Sequence, residues 1–349
     1  MAQGYAIAAT SRIRTMTAWF ERLTGFREDS CEDTRSRLQV DGDRLRSTLN
    51  DRSYAIGSLE TPAVKELRDA AAPLVGDLAG KLSVTNVTGD ARLLHRDAAN
   101  AGALFQVASQ FNLLEMTGPS VTPENGVTRY QRDHTQGPAC AIAAGAATIY
   151  RNYFAPVDGE LGQTRQRQID CLRDIGTALG NDGEALWKMR NGYALCSEHG
   201  LAEIDRRLQA LGPAGVDEVR DRLRIGLHWN VEATESDGPQ HLLSQAFCSG
   251  LPVRYTDVPL HLWRSFATLV LEGAYEATLW AAVLNGHRHT SPVVYLTRIG
   301  GGVFGNETSW IDGAIGRALR MVEGVGLDVR IVSRGSPDES LRRLVQECQ

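Results

Sequence analysis

The stretch "VVYLTRIGGGVFGNETSWIDGAIGRAL" (Val293–Leu319) decides the reading. Of its first seven residues, all but Arg298 are β-branched, aromatic or aliphatic, and the run has strand character. Three consecutive glycines follow, then Phe304, Gly305 and Asn306, then a segment with helical apolar spacing. Glycines at a strand-to-helix junction let backbone N–H groups approach an anion without interference from Cβ. The helix start beyond them adds partial positive charge. A phosphate or diphosphate is the physically reasonable guest, with a plain tight turn as the alternative. No GxxxxGK[ST] or GxGxxG spacing is present, which disfavours a Walker-type nucleotidase and a classical dinucleotide site.

Working outward, strand and helix signals alternate from about residue 80. "KLSVTNV", "GALFQVASQF", "LRIGLHWNVEAT", "HLLSQAFCSGLPV" and "DVRIVS" read as further strands. "GPACAIAAGAATIYRNYF", "TRQRQIDCLRDIGTALG", "GLAEIDRRLQALG" and "PLHLWRSFATLVLEGAYEATLWAAVLN" read as helices. Alternation of this kind predicts an α/β domain with a covered sheet. Residues 1–78 read as an N-terminal extension packed on the core, since Trp19, Phe20, Leu23 and Phe26 recur in it. Residues 79–349 form the main domain, with a helical insertion at about 157–222.

The 349 residues are 42% hydrophobic and carry a net charge of -5, which gives non-specific nucleic-acid binding no support. The longest apolar run contains Glu272 and Glu276, against a membrane span. The six cysteines are scattered without a CxxC pair, and no signal pattern opens the chain, so a cytoplasmic setting is expected. No metal or cofactor is expected. His287 and His289 have no matching cluster nearby and read as a solvated loop. Cys140 could be a nucleophile at a helix start, but His134 forms no recognisable dyad with it.

A second junction has the logic of the first. In "YQRDHTQGPACAIAAGAAT", Asp133, Thr135, Gln136 and Gly137 precede a helix whose first turns are small residues. The alternative is a capped helix packed tightly on a sheet.

With these pieces assembled, the sequence resembles a divergent macrodomain, the ADP-ribose-binding fold. Gly89-Asp90 stands before "FQVASQFN", the small-residue helix is entered through "TQGPACA", and "IGGGVFGN" takes the place of the second phosphate loop. More narrowly, "QVASQFNLLE", "DHTQGPACA" and the glycine loop resemble the ADP-ribosyl-ubiquitin hydrolases related to Legionella MavL. Ala108-Ser109-Gln110-Phe111-Asn112 stands where ordinary macrodomains carry Asn-Ala-Ala-Asn. The resemblance implies a macrodomain-like three-layer α/β/α fold with a mixed sheet. It implies that Asp90 meets the adenine amino group and that Asn112 and Gln110 reach the distal ribose. Gly300, Gly301, Gly302, Val303, Phe304, Gly305 and Asn306 would enclose the diphosphate, with Thr135, Gln136 and Gly137 as the second wall.

Cleaving ADP-ribose from an acceptor breaks a glycosidic bond through an oxocarbenium-like transition state, which needs carboxylates. Asp133 is the first candidate, Glu124 in "TPENG" the second. Glu272 and Glu276 lie four apart on a helix that is apolar nearly all round. They are either paired with arginines or line the acceptor side, Glu276 then assisting catalysis and Glu272 binding. The expected function is a metal-independent ADP-ribosylhydrolase acting on modified protein, with arginine linkage and ubiquitin as the finer expectation. A non-catalytic ADP-ribose-binding module and a hydrolase of a small NAD-derived nucleotide are the alternatives.

Overall fold

The computed structural model describes residues 18–289 and 291–347. The first seventeen residues, the His289 side chain and Cys348 lie outside the described residues. The described residues open with α1 (Trp19–Thr24) and α2 (Cys31–Ser36), then a small antiparallel sheet of β1 (Leu38–Asp41), β2 (Arg44–Ser47) and β3 (Ser53–Ala55). Next come β4 (Ser58–Glu60), α3 (Val64–Ala71), β5 (Ser83–Thr88), α4 (Ala91–Arg96), β6 (Leu104–Ala108), α5 (Gln136–Ala143) and α6 (Gly145–Tyr153). The insertion holds two hairpins, β7 (Pro156–Val157) with β8 (Glu160–Leu161) and β9 (Trp187–Arg190) with β10 (Tyr193–Cys196). It also holds α7 (Arg173–Leu179) and α8 (Glu198–Arg220). The remainder is β11 (Gly226–Glu232), β12 (Leu242–Cys248), α9 (Leu260–His289), β13 (Val293–Leu296), α10 (Thr308–Met321), β14 (Asp328–Ser333) and α11 (Glu339–Glu347).

Seven strands form one mixed sheet in the order β4-β11-β12-β6-β13-β14-β5. From β12 to β5 every neighbouring pair is parallel, while β4, β11 and β12 are antiparallel. One face carries the larger core, in which Leu104, Val294 and Val329 meet the apolar residues of α3, α8, α9 and α10. The other packs Phe105, Val231 and Tyr295 against Ala144 and Ala147 of the α5–α6 region. Phe105 and Tyr295 stack at 4.5 Å and 9°, a pairing that adds about 1 kcal/mol beyond burial. The result is the α/β domain with a covered sheet that the alternating pattern predicts, in the α/β/α layering with a mixed sheet that the resemblance implies. The helix Leu260–Arg288 is long and apolar enough by composition to cross a membrane, yet 89% of its most apolar window is buried inside the protein.

Three expectations differ in detail. The helix expected over "GPACAIAAGAATIYRNYF" is two helices, broken where Ala144 leaves helical geometry at φ -112, ψ 58. A side chain at Gly145 would meet Leu23 and Trp19, so the break seats α1 against the main body. The helix expected over "TRQRQIDCLRDIGTALG" is confined to α7, because the preceding residues form turns. The stretch read as an N-terminal extension divides: β4 pairs with β11 and α3 packs on α9, while residues 19–55 form a separate small core with α6.

The central strands also create an opening. β6 and β13 pair only at Leu104 and Phe105. Beyond that the strands part, and side chains replace ladder bonds. The Gln136 amide accepts from the Ala108 N–H at 2.9 Å and donates to the Gln106 carbonyl at 3.0 Å. Gln106, itself buried, donates to Thr278 of α9 at 2.8 Å and accepts from the Thr297 N–H at 3.2 Å. Parted parallel strands leave a crevice at their carboxyl ends, where open α/β sheets take ligands.

Candidate active site

That crevice holds two adjoining cavities of about 310 and 300 Å3, which share Gln136, Thr297, Arg298 and Arg334 in their walls. Asp90 lies at the first, next to the carboxyl end of β5. Its carboxylate caps α4, accepting from the Arg92 N–H at 2.7 Å. The second is bounded by Ser109 and Gln110 after β6, by Thr135 and Gly137 at the start of α5, and by the glycine loop. Gly300, Gly302, Val303 and Phe304 all line it, so the two junctions singled out in the sequence face one space.

The glycine loop is a fixed turn. Gly300 has φ +72 and Gly305 φ +77, in the left-handed region. A Cβ at Gly300 would lie 2.6 Å from Nδ2 of Asn306, and one at Gly305 would lie 2.3 Å from Cγ of Arg254. Asn306 is buried and donates to the carbonyls of Leu251 and Gly300 at 2.8 and 3.1 Å. The amides of Gly301 and Gly305 turn back to the Arg298 and Gly302 carbonyls. Among the described residues, no carbonyl accepts the N–H of Gly302, Val303 or Phe304. These three amides have no partner within the loop, whereas those of Gly301 and Gly305 do. The Phe304 ring is held in a cluster with Tyr193 and Tyr255, with centroids 5.5 and 5.6 Å away. Tyr193 comes from the insertion, which therefore supports a wall of the cleft.

Arg298 and Arg334 bring positive charge. Arg298 pairs with Asp312 at 2.8 Å and with Asp338 at 2.5 Å. Arg334, exposed, bonds the His134 carbonyl and so bridges the loop after β14 to the loop before α5.

The carboxyl that the fold places in the wall of the second cavity is Glu115, which lies in "QVASQFNLLE" but was not among the expected catalytic residues. It is 4% exposed, and its Oε1 is buried without a hydrogen-bond partner among the described residues. Its other oxygen lies against α5: a Cβ on Gly137 would sit 2.3 Å from Oε2. The loop that carries it is over-determined. Leu113 has φ 64. Gln110 uses its side chain to accept from the Met116 N–H at 2.7 Å and to donate to the Met116 carbonyl at 3.2 Å. The Glu115 N–H donates to the Tyr130 hydroxyl at 3.0 Å. Burial drives the Glu115 carboxyl well above the ordinary carboxylate range, against the lowering pull of Arg151 and with a raising push from Asp133. A carboxyl whose protonated form is favoured in this way has the property asked of a general acid.

The other expected residues fall elsewhere. Glu276 is fully buried between Arg68 and Arg317, on the side of α9 that faces α3 and α10. Glu272 pairs with Arg220 of α8 at 2.6 Å. Neither lines the cleft, which favours the arginine-paired reading. Glu124 is exposed and accepts the Arg165 N–H at 2.7 Å, away from the cleft walls. Asp133 is near enough to Glu115 to be felt by it, and one oxygen of its carboxylate, Oδ1, accepts from the Thr135 N–H and hydroxyl at 2.8 and 2.7 Å. Asn112 is buried, donating to Gln168 at 2.8 Å and accepting from the Leu114 N–H at 3.1 Å, so it shapes the loop rather than reaching a ribose. Gln110 lines the cleft with its side chain already engaged by Met116. Cys140 is buried, and burial raises its thiol well above the ordinary value, which suits packing rather than attack.

No family model and no curated protein matches this chain. Solved structures do. Poly(ADP-ribose) glycohydrolase from Thermomonospora curvata is 13% identical, with 91% of this chain and 97% of that chain covered at a TM-score of 0.42. The same enzyme bound to the inhibitor ADP-HPD is 12% identical, covering 90% and 96%, also at 0.42. Poly(ADP-ribose) glycohydrolase from Deinococcus radiodurans in complex with ADP-ribose is 12% identical, covering 83% and 94% at 0.44.

Proposed function

We propose that this protein is a glycosidic hydrolase that releases ADP-ribose from a polymer or a modified protein, with Glu115 as its general acid. One observation carries the reading: a buried carboxyl with an unpartnered oxygen, in the wall of a cleft whose opposite wall offers three consecutive backbone amides. Supporting it, the cleft runs from Asp90, placed for an adenine amino group, past Arg298 to the glycine loop, placed for a diphosphate. Phe304 then flanks the distal ribose.

In the reaction, the bond from the anomeric carbon to the acceptor atom breaks as Glu115 delivers its proton to that atom. The developing oxocarbenium charge is offset by the substrate's own diphosphate and by the carboxylate left on Glu115. Water then adds to the anomeric carbon and returns a proton to Glu115. This chain's residues bind the two ends, fix the glycosidic bond beside the acid, and exclude bulk water from it. The finer specificity, arginine-linked ADP-ribose on ubiquitin, would draw on the Asp133 carboxylate beside Glu115, since a guanidinium is a cation.

The test compares the wild type with Glu115→Gln and Asp133→Ala. Calorimetry reads binding of free ADP-ribose. Release of ADP-ribose is followed from poly(ADP-ribose) and from arginine-modified ubiquitin. Binding retained with release lost in Glu115→Gln is the expected result. Binding without release by the wild type on both substrates leaves a reader module, and absent binding removes the ADP-ribose reading altogether.

A further inference from the structure

The residue behind Glu115 is unusual. Arg151, on α6, is 0% exposed and ranks among the largest fully buried side chains. Its hydrogen-bond partners are a carbonyl, a hydroxyl and an imidazole. Nε donates to the Leu113 carbonyl at 3.2 Å, Nη2 to Thr148 Oγ1 at 2.9 Å, and Nη1 to His228 Nδ1 at 3.3 Å. None is a carboxylate. The guanidinium also lies over the Phe247 ring, 3.9 Å from its centroid. A permanently charged group buried without an ion-pair partner is costly, and arginine does not shed its proton to escape. The carboxyl that feels it is Glu115.

Each partner fits this placement. Leu113 is the residue of the Glu115 loop with φ 64, two positions before the acid, so the bond to its carbonyl fixes the loop at its strained point. His228 accepts at Nδ1 and is therefore neutral; burial, then Arg151, holds it well below its ordinary range. The other titratable groups that face the pair are Tyr130, whose hydroxyl accepts the Glu115 N–H, Asp133, and the buried Cys140 and Tyr193.

We propose that Arg151 is a positioning residue of this site, which fixes the Glu115 loop and places an uncompensated positive charge behind the acid. The inference rests on Glu115 being the general acid. Burial alone would make Glu115 a poor donor, because the carboxylate left after transfer would be unsupported. The buried guanidinium supports that carboxylate and needs no water to do so. Burial keeps the proton on Glu115 until substrate arrives, and Arg151 allows it to leave.

The experiment measures kcat, KM and the pH profile for ADP-ribose release by the wild type, Arg151→Met, Arg151→Lys and Glu115→Gln, with binding of free ADP-ribose as the control. Arg151→Met is expected to lower kcat about 100-fold with KM unchanged within about twofold. Loss of the cation makes Glu115 a weaker acid, so the alkaline limb of the profile moves to higher pH. Arg151→Lys restores the limb and part of kcat. Thr148→Val, which removes one acceptor from the guanidinium without removing its charge, is the second variant should Arg151→Met not fold. It is expected to lower kcat several-fold, with a smaller shift of the limb in the same direction. Folded Arg151→Met with kcat and limb both unmoved overturns the proposal, as does Thr148→Val with both unmoved when it alone folds. If Glu115→Gln keeps wild-type kcat, the general-acid reading fails first, whatever the Arg151 variants do.

Discussion

Glu115 and Glu276 are both glutamates buried in the same α/β layer structure, 4% and 1% exposed. Their surroundings differ in kind. Glu276 receives Arg68 Nε at 2.9 Å, Arg317 Nη1 at 2.6 Å and Trp280 Nε1 at 3.4 Å. Both of its oxygens are engaged, and it ties α3, α9 and α10 together. Glu115 has one oxygen without a partner and a cavity in front of it. A buried carboxylate that is fully paired is structure. A buried carboxyl that is left incomplete, on a loop held by Gln110, Tyr130 and Arg151, is poised for a substrate to complete it.

The comparison breaks most readily at activity. Glu115→Gln keeps the shape and the ability to donate a weak hydrogen bond but has no proton to transfer. Release of ADP-ribose should fall about 1,000-fold, with calorimetric binding of free ADP-ribose retained. Glu276→Gln is the mirror experiment. It leaves Arg68 and Arg317 facing a neutral group, and urea unfolding should show a loss of about 3 kcal/mol, with turnover per folded molecule unchanged. Reversed results, an inactive Glu276 variant and an unstable Glu115 variant, would mean that the two roles are assigned the wrong way round.

The sheet and the two loop junctions were legible because each has a local signal: β-branched runs, consecutive glycines, a small-residue helix start. The strand order and the parting of β6 from β13 were not, because both rest on contacts between segments far apart in the chain: Gln106 of β6 accepts from Thr297 after β13, and Gln136 of α5 holds Gln106 and Ala108. Asp133 drew attention as a loop carboxylate, but the same loop chemistry makes it a cap. Glu115 sat in a quoted segment between apolar residues and a methionine, where nothing in the pattern marks it. Only the fold shows that its neighbours Gln110 and Asn112, expected to touch ribose, are its scaffold. Tyr193 had a readable signal: Asn191-Gly192 takes positive φ at both residues, the two-residue hairpin turn that aims β10 at the cleft.

The difference between the two glutamates also has a pH signature. The native state holds the Glu115 proton more tightly than the unfolded chain, whose carboxyl titrates near the ordinary value of 4.5. Below that value both states are protonated and the contribution is complete. Above it the unfolded chain releases a proton that the native state retains, so stability declines as pH rises toward the raised native value. Glu115→Gln has no such proton. Its stability relative to the wild type should therefore grow as pH rises from 4 toward neutrality, read from urea midpoints.

The smallest effect belongs to Asp133. Removing its carboxylate in Asp133→Ala takes the acceptor from the Thr135 N–H and hydroxyl at the start of α5, which should cost about 1 kcal/mol of stability. It also removes a negative charge that raises Glu115. Glu115 then gives up its proton at lower pH, so the alkaline limb of the rate profile should move down, opposite to its movement in Arg151→Met. The fall in kcat should stay under about tenfold. A fall as deep as that of Glu115→Gln would return the catalytic role to Asp133. The unpartnered oxygen of Glu115 would then be a binding group for the substrate rather than its acid, and the contrast with Glu276 would concern recognition rather than chemistry.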